Sequence, residues 1–480
     1  MSKARDLANF VSTGNPLADG TLAVADITDL TASAAELNLL DGSAAATVAN
    51  SKAVIYGASG EVFAAQVDIT ATGDLRLQDT TGGEYVALQA PGTVSASYTL
   101  TLPAANGTNG QFLQTDGSGA LSFVSLPASQ SIVRVTRTSN TALTTSNLGN
   151  LIDITSGTFT QTFDPAATLG SGWYCYIRNI GTGDITLDPN SSETIDGLTT
   201  FIMYPGEARL IQCDGSNFFS VVLASFTKTF TTTDTFYKPP GYAVFSGLLW
   251  GAGGGGGKRN SSSYFAGGGG GGGCHPFTLA SSFFSTTETV TIGAGGAGAT
   301  TDGGDGAGGG DTSIGSLFTG YGGGGGKSGT GTTNSGSGGG GGGALSAGSL
   351  GSQNSTGANG GKPWASSGPN SVYGGGVGYG GNSILSNNDS SAYWGGGAGA
   401  HTAGGPQELQ NSFWGGGGGG SSRFGVAGGT STHGGNGGKG EDGATSGGDG
   451  VAPGGGGGAT RTGTKAGDGA RGEARIWGIV

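Results

Sequence analysis

Glycine is distributed very unevenly along this chain, and this constrains the fold more than any other feature. Of the 109 glycines in 480 residues, 22 lie in residues 1–240 and 87 in residues 241–480. Glycine loses more backbone freedom on ordering than any other residue, and each ordered residue costs about 1–2 kcal/mol of conformational entropy. The second half is therefore not an ordinary globular domain.

Two interpretations fit so much glycine. One is a flexible Gly/Ser linker, which never orders. The other is a packed array of extended left-handed helices with three residues per turn, of the polyproline II type, whose backbones bond to one another laterally. Backbone hydrogen bonds of about 1 kcal/mol net each, with weaker Cα–H···O contacts, offset the entropy only if nearly every group is paired.

The arrangement of the glycines favours the ordered array. They form runs separated by segments rich in aromatic residues, and three of these aromatics are tryptophans, which a solubilising linker does not need. Strand-like segments at 242–250 and 475–480 flank the region, as expected for a folded unit. The longest runs are 253–257, 267–273, 322–326, 338–343, 415–420 and 454–458.

Composition excludes several classes of protein. A net charge of −12 and a pI near 4.6 argue against nucleic acid or an anionic membrane as the main partner. Three cysteines form no CxxC pair, which indicates folding in a reducing cytoplasm without a disulfide framework. Neither a secretory signal nor an apolar run long enough to span a membrane is expected.

No segment predicts catalysis, a metal or a cofactor. Matches to GxGxxG are inevitable in glycine runs and carry no information. Asp302, Asp305 and Asp311 lack EF-hand spacing and are predicted to lie in surface turns. Cys274 and His275 are neighbours in sequence, and adjacent residues rarely point at one site. We therefore predict a protein that is not an enzyme and that binds its partner by contact alone.

The first 127 residues resemble parts of known fibres. The string TASAAELNLLDG at 31–42 resembles an element of tail-fibre proteins of tailed bacteriophages. Residues 43–127 carry a strand at 98–103 and a predicted hairpin over 111–124, turning at DGSG 116–119. This pattern is similar to a shaft segment of trimeric phage fibres. The resemblance implies attachment to the virion tail or baseplate through 1–42 and a homotrimeric β shaft over 43–127.

Residues 128–225 contain short, regularly spaced strand signals separated by turn residues, which predict a small β-sandwich. TIDG at 194–197, YPGEARLI at 204–211 and CDGSNF at 213–218 resemble a β-knob module of phage fibres. Cys175 and Cys213 are predicted to be small core residues. The predicted strands are 132–136, 151–154, 173–177, 184–187, 208–212 and 218–223.

Residues 226–480 resemble the glycine-rich receptor-binding tips of phage fibres and related adhesins, on KPPGYAVFSGLLWGAGGGGG at 238–257, TVTIGAGGAG at 289–298 and GDGARGEARIW at 467–477. The resemblance implies packed polyglycine II helices that present loops. The predicted fold class is thus mainly β: an elongated multi-module fibre with a short N-terminal helical or extended segment, a trimeric shaft, a sandwich knob and a glycine-rich tip.

Aromatic residues between the glycine runs are candidates for receptor binding, because rigid rings supply contact area beside adaptable amides. The alternative is that they plug the sides of the array. The candidates are Tyr264, Phe265, Trp364, Tyr373, Tyr393, Trp394, Phe413 and Trp414.

The predicted function is a phage tail fibre that recognises a host outer-membrane protein or glycan through the loops of its tip. It would be made in the host cytoplasm and act on the virion outside the cell. Two alternatives stay open: a purely structural virion fibre with a separate adhesin, and a tailspike that degrades polysaccharide.

Overall fold

A computed structural model describes residues 66–80, 82–125, 132–260, 264–329, 336–353, 358–362, 370–378, 391–400, 411–423 and 425–480. The predicted attachment segment 1–42 and the candidate Trp364 lie outside these residues. The chain is mainly β, as predicted. The described residues contain no helix with the length and hydropathy of a membrane span. Two compact units divide the chain, Met1–Leu126 and Pro127–Val480.

The first unit contains two antiparallel hairpins. Strand β1 (Asp74–Gln78) pairs with β2 (Tyr85–Gln89), and β3 (Gln111–Thr115) pairs with β4 (Leu121–Ser125). The second is the predicted hairpin. Its turn is fixed by Asp116, whose Oδ1 accepts hydrogen bonds from the backbone N–H of Ser118 (2.7 Å) and of Ala120 (3.1 Å).

These hairpins leave apolar side chains exposed. A two-stranded hairpin is marginally stable in water, because it has no second layer to cover its apolar face. The exposed residues include Leu75, Leu77, Tyr85, Val86, Leu88, Phe112, Leu113 and Phe123.

Residues 132–225 form two sheets that share one core. Their strands are β5 (Arg134–Arg137), β6 (Leu151–Ile154), β7 (Phe159–Thr162), β8 (Tyr174–Asn179), β9 (Ile185–Asp188), β10 (Phe201–Met203), β11 (Ala208–Cys213) and β12 (Phe218–Ala224). One sheet has the order β12-β11-β8-β6-β5 and the other β10-β9-β7. The core cluster takes side chains from both sheets, including the buried, free Cys175 and Cys213. The predicted β-sandwich and its core cysteines are confirmed.

The sandwich contains parallel strand pairs, which an all-antiparallel sandwich lacks. Strands β6, β7, β8 and β9 alternate between the two sheets, and each pairs in parallel with its neighbour in the same sheet. Sequence analysis missed β7, β10 and the one-turn helix α1 (Ala166–Leu169). Strand β7 buries Gln161, a polar residue that accepts a hydrogen bond from Arg137 Nη1 (3.0 Å), so its apolar signal is weak.

A base of two four-stranded antiparallel sheets precedes and closes the glycine-rich region. Its strands are β13 (Thr227–Phe230), β14 (Asp234–Tyr237), β15 (Val244–Trp250), β16 (Cys274–Ala280), β17 (Thr287–Thr291), β18 (Thr312–Ile314), β19 (Phe318–Gly320) and β22 (Glu473–Ile479). The short strands β20 (Asn370–Ser371) and β21 (Ser391–Ala392) lie between β19 and β22 in sequence and form a separate pair. The sheet orders are β13-β22-β15-β16 and β14-β17-β18-β19. Strand β22 pairs with β15 from Val244↔Ile479 to Trp250↔Glu473. The prediction that flanking strands close a folded unit is confirmed.

The sandwich and the base are joined by buried side chains. Tyr204, from the sandwich, belongs to the aromatic core of the base, and its hydroxyl accepts from Tyr237 N (2.8 Å). Arg209 and Glu207 form a fully buried ion pair (2.6 Å). Arg209 also donates to Pro240 O (2.7 Å), in the loop that leads into β15. This pair therefore fixes the sandwich to the base.

The glycine runs form a lateral lattice, which the run 267–273 shows in full. Successive N–H groups of this run donate to three different neighbouring segments, and the order of the segments repeats every three residues. Successive carbonyl oxygens accept from three further segments with the same repeat. All of these bonds are 2.7–3.1 Å long. The acceptor segments are 321–327, 394–400 and 454–457, and the donor segments are 251–257, 339–342 and 416–419. A helix with three residues per turn and six neighbours is the predicted polyglycine II packing.

Glycine is required in the lattice because helices approach too closely for a side chain. A Cβ added to Gly270 would lie 2.1 Å from Gly340 O, and one added to Gly256 would lie 2.3 Å from Gly458 O. Neither residue needs a positive φ. The requirement is thus the absence of a Cβ, and not backbone freedom.

At the edges of the lattice, every third residue carries a side chain. Ala294 and Ala297 are exposed on one edge helix, and Asn436 and Lys439 on another. An edge helix has no neighbouring helix on one side, and aspartate carboxylates accept hydrogen bonds that a neighbouring helix would have accepted. Asp468, for example, accepts from Gly298 N (2.8 Å).

We predict that Gly270→Ala lowers the free energy of unfolding by about 3 kcal/mol, because the new methyl group meets a carbonyl of the adjacent helix. Gly308→Ala is the matched control, since the nearest atom to its Cβ is 3.7 Å away, and it should be neutral or slightly stabilising. Denaturant unfolding of both variants measures this. Equal effects would contradict a Cβ-free lattice.

We predict that Arg209→Met destabilises the protein by about 3–5 kcal/mol at neutral pH, because Glu207 is left buried without its cation. Burial raises the pKa of Glu207, and Arg209 opposes that shift. A group whose folded pKa is raised contributes stability at low pH and loses it as the pH rises. The penalty should therefore shrink as the pH falls from 7 towards 4.

Urea unfolding across that pH range measures the effect. Adding Glu207→Gln to Arg209→Met should remove the pH dependence. A penalty that is the same at every pH would show that Glu207 is not the group responsible.

Candidate functional site

The glycine helices have two distinct ends. At the base end, Gly251 and Gly273 pair with each other, next to the ends of β15 and β16. At the turn end, Gly257 pairs with Gly267. Six residues at about 3.1 Å rise separate the two ends by roughly 19 Å. Side chains at opposite ends therefore cannot form one site.

The predicted candidates are divided between these ends. Tyr264 and Phe265 lie at the turn end, in the connection between the two helices that Gly257 and Gly267 belong to. The other five described candidates precede helices at the base end: Tyr373, Tyr393, Trp394, Phe413 and Trp414.

The base-end candidates belong to a ladder of parallel segments. Asn370–Ser371 pairs with Ser391–Ala392, Ala392 bridges Ser412, and Ser412 bridges Ser431, all in parallel. This register places 373, 394, 414 and 433 in one column, and 372, 393, 413 and 432 in the next.

The rings of this ladder stack on one another. Tyr393 and Phe413 are stacked at 4.9 Å between centroids, and so are Trp394 and Trp414. His433 continues the column of Trp394 and Trp414, 3.8 Å from Trp414. The two separations of 4.9 Å match the spacing of adjacent strands. Sequence analysis did not assign His433 to this group, although the residues of its column recur at intervals of 19–21 residues, each just before a glycine.

The ladder is fixed to the base by two hydrogen bonds. The fully buried Trp250 donates from Nε1 to Trp414 O (2.6 Å). Cys274 N donates to Trp394 O (2.7 Å). Because the ring faces are engaged with one another, the ladder supports the interpretation of Trp394 and Trp414 as side plugs. Tyr373, Tyr393 and Phe413 keep 53%, 44% and 38% of their surface exposed.

Cys274 and His275 do not form a nucleophilic pair. Burial raises the pKa of the Cys274 thiol well above its usual value, which disfavours the reactive thiolate. His275 Nδ1 is bonded to Thr319 O (2.8 Å).

The three aspartates singled out in the sequence bind backbone amides. Asp302 accepts from Asn260 N, Asp305 from Ser328 N (2.9 Å) and Asp311 from Gly322 N (2.8 Å). The prediction of a surface turn holds for Asp302, whereas Asp305 is exposed but follows that turn. Asp311 instead caps the edge of the lattice beside β18.

The turn end holds two rings between two arginines. The Arg259 guanidinium lies 5.9 Å from the centre of the Tyr264 ring, and that of Arg423 lies 5.2 Å from the centre of the Phe265 ring. Ala266 N donates to Ser422 Oγ (2.8 Å), and this bond ties the two turns together. We call Arg259, Tyr264, Phe265 and Arg423 the arginine–aromatic cluster.

Most other cations at the turn end are neutralised. Lys327 pairs with Asp305, Lys439 with Glu441 and Arg461 with Asp442. Lys258 Nζ donates to two carbonyl oxygens, of Thr300 (3.0 Å) and Thr464 (2.9 Å). These contacts hold neighbouring turns at fixed positions.

We predict that Trp414→Ala destabilises the protein by about 3 kcal/mol, because it removes a ring stacked on both faces. The exposed Tyr373→Ala should change stability by less than about 1 kcal/mol. Thermal unfolding of both variants measures the difference. If the two substitutions had equal effects, the ladder would not stabilise the array.

Comparison with known proteins and families gives the following result. No curated protein matches the chain. The family described as "Glycine-rich domain" matches residues 228–477, a span that begins in β13 and ends in β22. This chain belongs to the glycine-rich domain family.

Proposed function

We propose that the protein is a bacteriophage tail fibre that binds a host surface receptor through the turn end of its glycine-rich domain. It attaches to the virion tail or baseplate through residues 1–42. It acts outside the host cell, without catalysis and without a cofactor. Its receptor is an outer-membrane protein or a surface glycan.

The observation that carries this proposal is the lattice itself. Its stability comes from backbone groups in the helices, so the turns between them are free to differ in sequence while their ends stay fixed. Adaptable turns on a rigid scaffold are typical of binding proteins. Family membership supports the scaffold, and the fibre-like segments of the first half support its place on a virion.

Exposed apolar residues in the hairpins support association with further copies of the chain. Among the described residues of this unit, no second layer covers β1–β2 or β3–β4, and three copies would supply one. A trimer would also present three turn ends to one host cell, which strengthens weak individual contacts.

We predict that replacing 379–390 or 401–410 by the equivalent segments of a fibre with another host redirects adsorption. Both segments follow Gly378 and Ala400 in sequence, and these two residues lie at the turn end. The ladder residues 391–394 and 411–414 are kept, so the scaffold is unchanged. The measurement is adsorption of phage carrying the exchanged fibre to each of the two hosts.

Replacement of the base-end turn 344–347 is the control and should leave the host range unchanged. If host range survived every turn-end exchange, the protein would instead be a structural fibre that works with a separate adhesin.

A further inference from the structure

We propose that the arginine–aromatic cluster binds an acidic sugar of the host surface, with Arg259 holding its carboxylate. This inference rests on the proposed function and names the receptor class: an anionic glycan, and not a protein.

Charge at the turn end is the first argument. Three cations there are paired with aspartate or glutamate, and Lys258 is used by two carbonyl groups. Arg259 differs: within the described ranges, no carboxylate forms an ion pair with it, and its buried Nε has no hydrogen-bond partner. A partly buried guanidinium without an ion-pair partner favours the binding of an anion. Its planar arrangement of N–H groups matches a carboxylate with two parallel hydrogen bonds.

The position of the rings is the second argument. Tyr264 and Phe265 are half-buried, and each lies beside an arginine. Their backbone is fixed, because Gly336 N donates to Phe265 O (3.1 Å) and Ala266 is bonded to Ser422. Arg259 is fixed as well, through its own N–H to Thr460 O (3.1 Å). An anion and a flat or apolar ring face can therefore be recognised together without rearrangement of the backbone.

The surroundings favour a sugar over a protein. The centre of a protein–protein interface needs apolar anchors. In the part of the turn end that the structure describes, no large apolar side chain is strongly exposed, whereas the base end exposes Leu345, Tyr373 and Val451. Besides the bonded carboxylates described above, the rim of the turn end carries hydroxyl and amide side chains, which suit sugar hydroxyl groups. These rim residues include Asn260, Thr300, Thr301, Ser446 and Thr464.

The test is calorimetric titration of the full-length protein with a galacturonate hexamer and with a sialic acid hexamer. The fully methyl-esterified galacturonate hexamer is the neutral counterpart. We expect at least one acidic oligosaccharide to bind, the ester to bind at least tenfold more weakly, and the affinity to fall with added salt. Equal affinity for acid and ester, or binding to neither acidic oligosaccharide, would overturn the proposal.

Variants locate the site. Arg259→Gln should weaken binding of the acidic oligosaccharide at least tenfold, and Arg259→Lys, which keeps the charge without the fork, should weaken it less. Lys439→Gln is the control, because Lys439 is an exposed cation of the same end already paired with Glu441, and it should bind as the wild type does. Wild-type affinity of Arg259→Gln, with an unchanged unfolding transition, would exclude Arg259 as the anion-binding residue.

Adsorption to host cells separates this inference from the proposed function. If the fibre adsorbs but acidic sugars do not compete, receptor binding stands and the acidic-sugar site is wrong. If acidic sugars bind at Arg259 but the fibre does not adsorb, the site stands and the proposed function is wrong.

Discussion

The structure depends on hydrogen bonding between backbones that have no side chains between them. In a β-sheet each strand bonds to two neighbours, whereas the run 267–273 bonds to six. Each bond contributes only about 1 kcal/mol net, so order requires that nearly all groups be paired. A single methyl group at an interior position lies close to 2 Å from a neighbouring carbonyl oxygen. The lattice therefore requires glycine at its closest contacts, and the buried non-glycine residues within its segments, such as Ala252 and Ala398, are small.

This constraint explains where side chains with other tasks are found. Aspartates such as Asp311 and Asp468 lie at lattice edges, where they supply acceptors that a missing helix would have provided. Aromatic rings collect at the base end, where the parallel ladder gives them the separation they need to stack. Cations lie mostly at the turn end, in the connections between helices. The described glycine helices inside the lattice carry none of these side chains.

Sequence reasoning predicted the mainly β fold and the packing of the glycine runs, and it did not predict the register. The turn at Asp116, six of the eight strands of the sandwich and the strands on either side of the glycine-rich region followed from local signals. The neighbours of each glycine helix did not, because the runs are nearly identical in sequence and any two could pair. The two columns of the ladder were missed for the same reason: Trp394, Trp414 and His433 meet only once the register is known. The arginine–aromatic cluster combines turns more than 150 residues apart, which no local pattern reveals.

The pairing of β15 with β22 has a consequence for how such domains diversify. The strand that leads into the glycine helices, β15, and the strand that follows them, β22, are neighbours in one sheet. All the helices between them therefore leave from this sheet and return to it. Recombination can then add or remove an outgoing helix together with its returning partner without disturbing the platform. Such events would change the cross-section of the glycine-rich domain, and with it the number of turns at its far end, while the length of its helices stays constant.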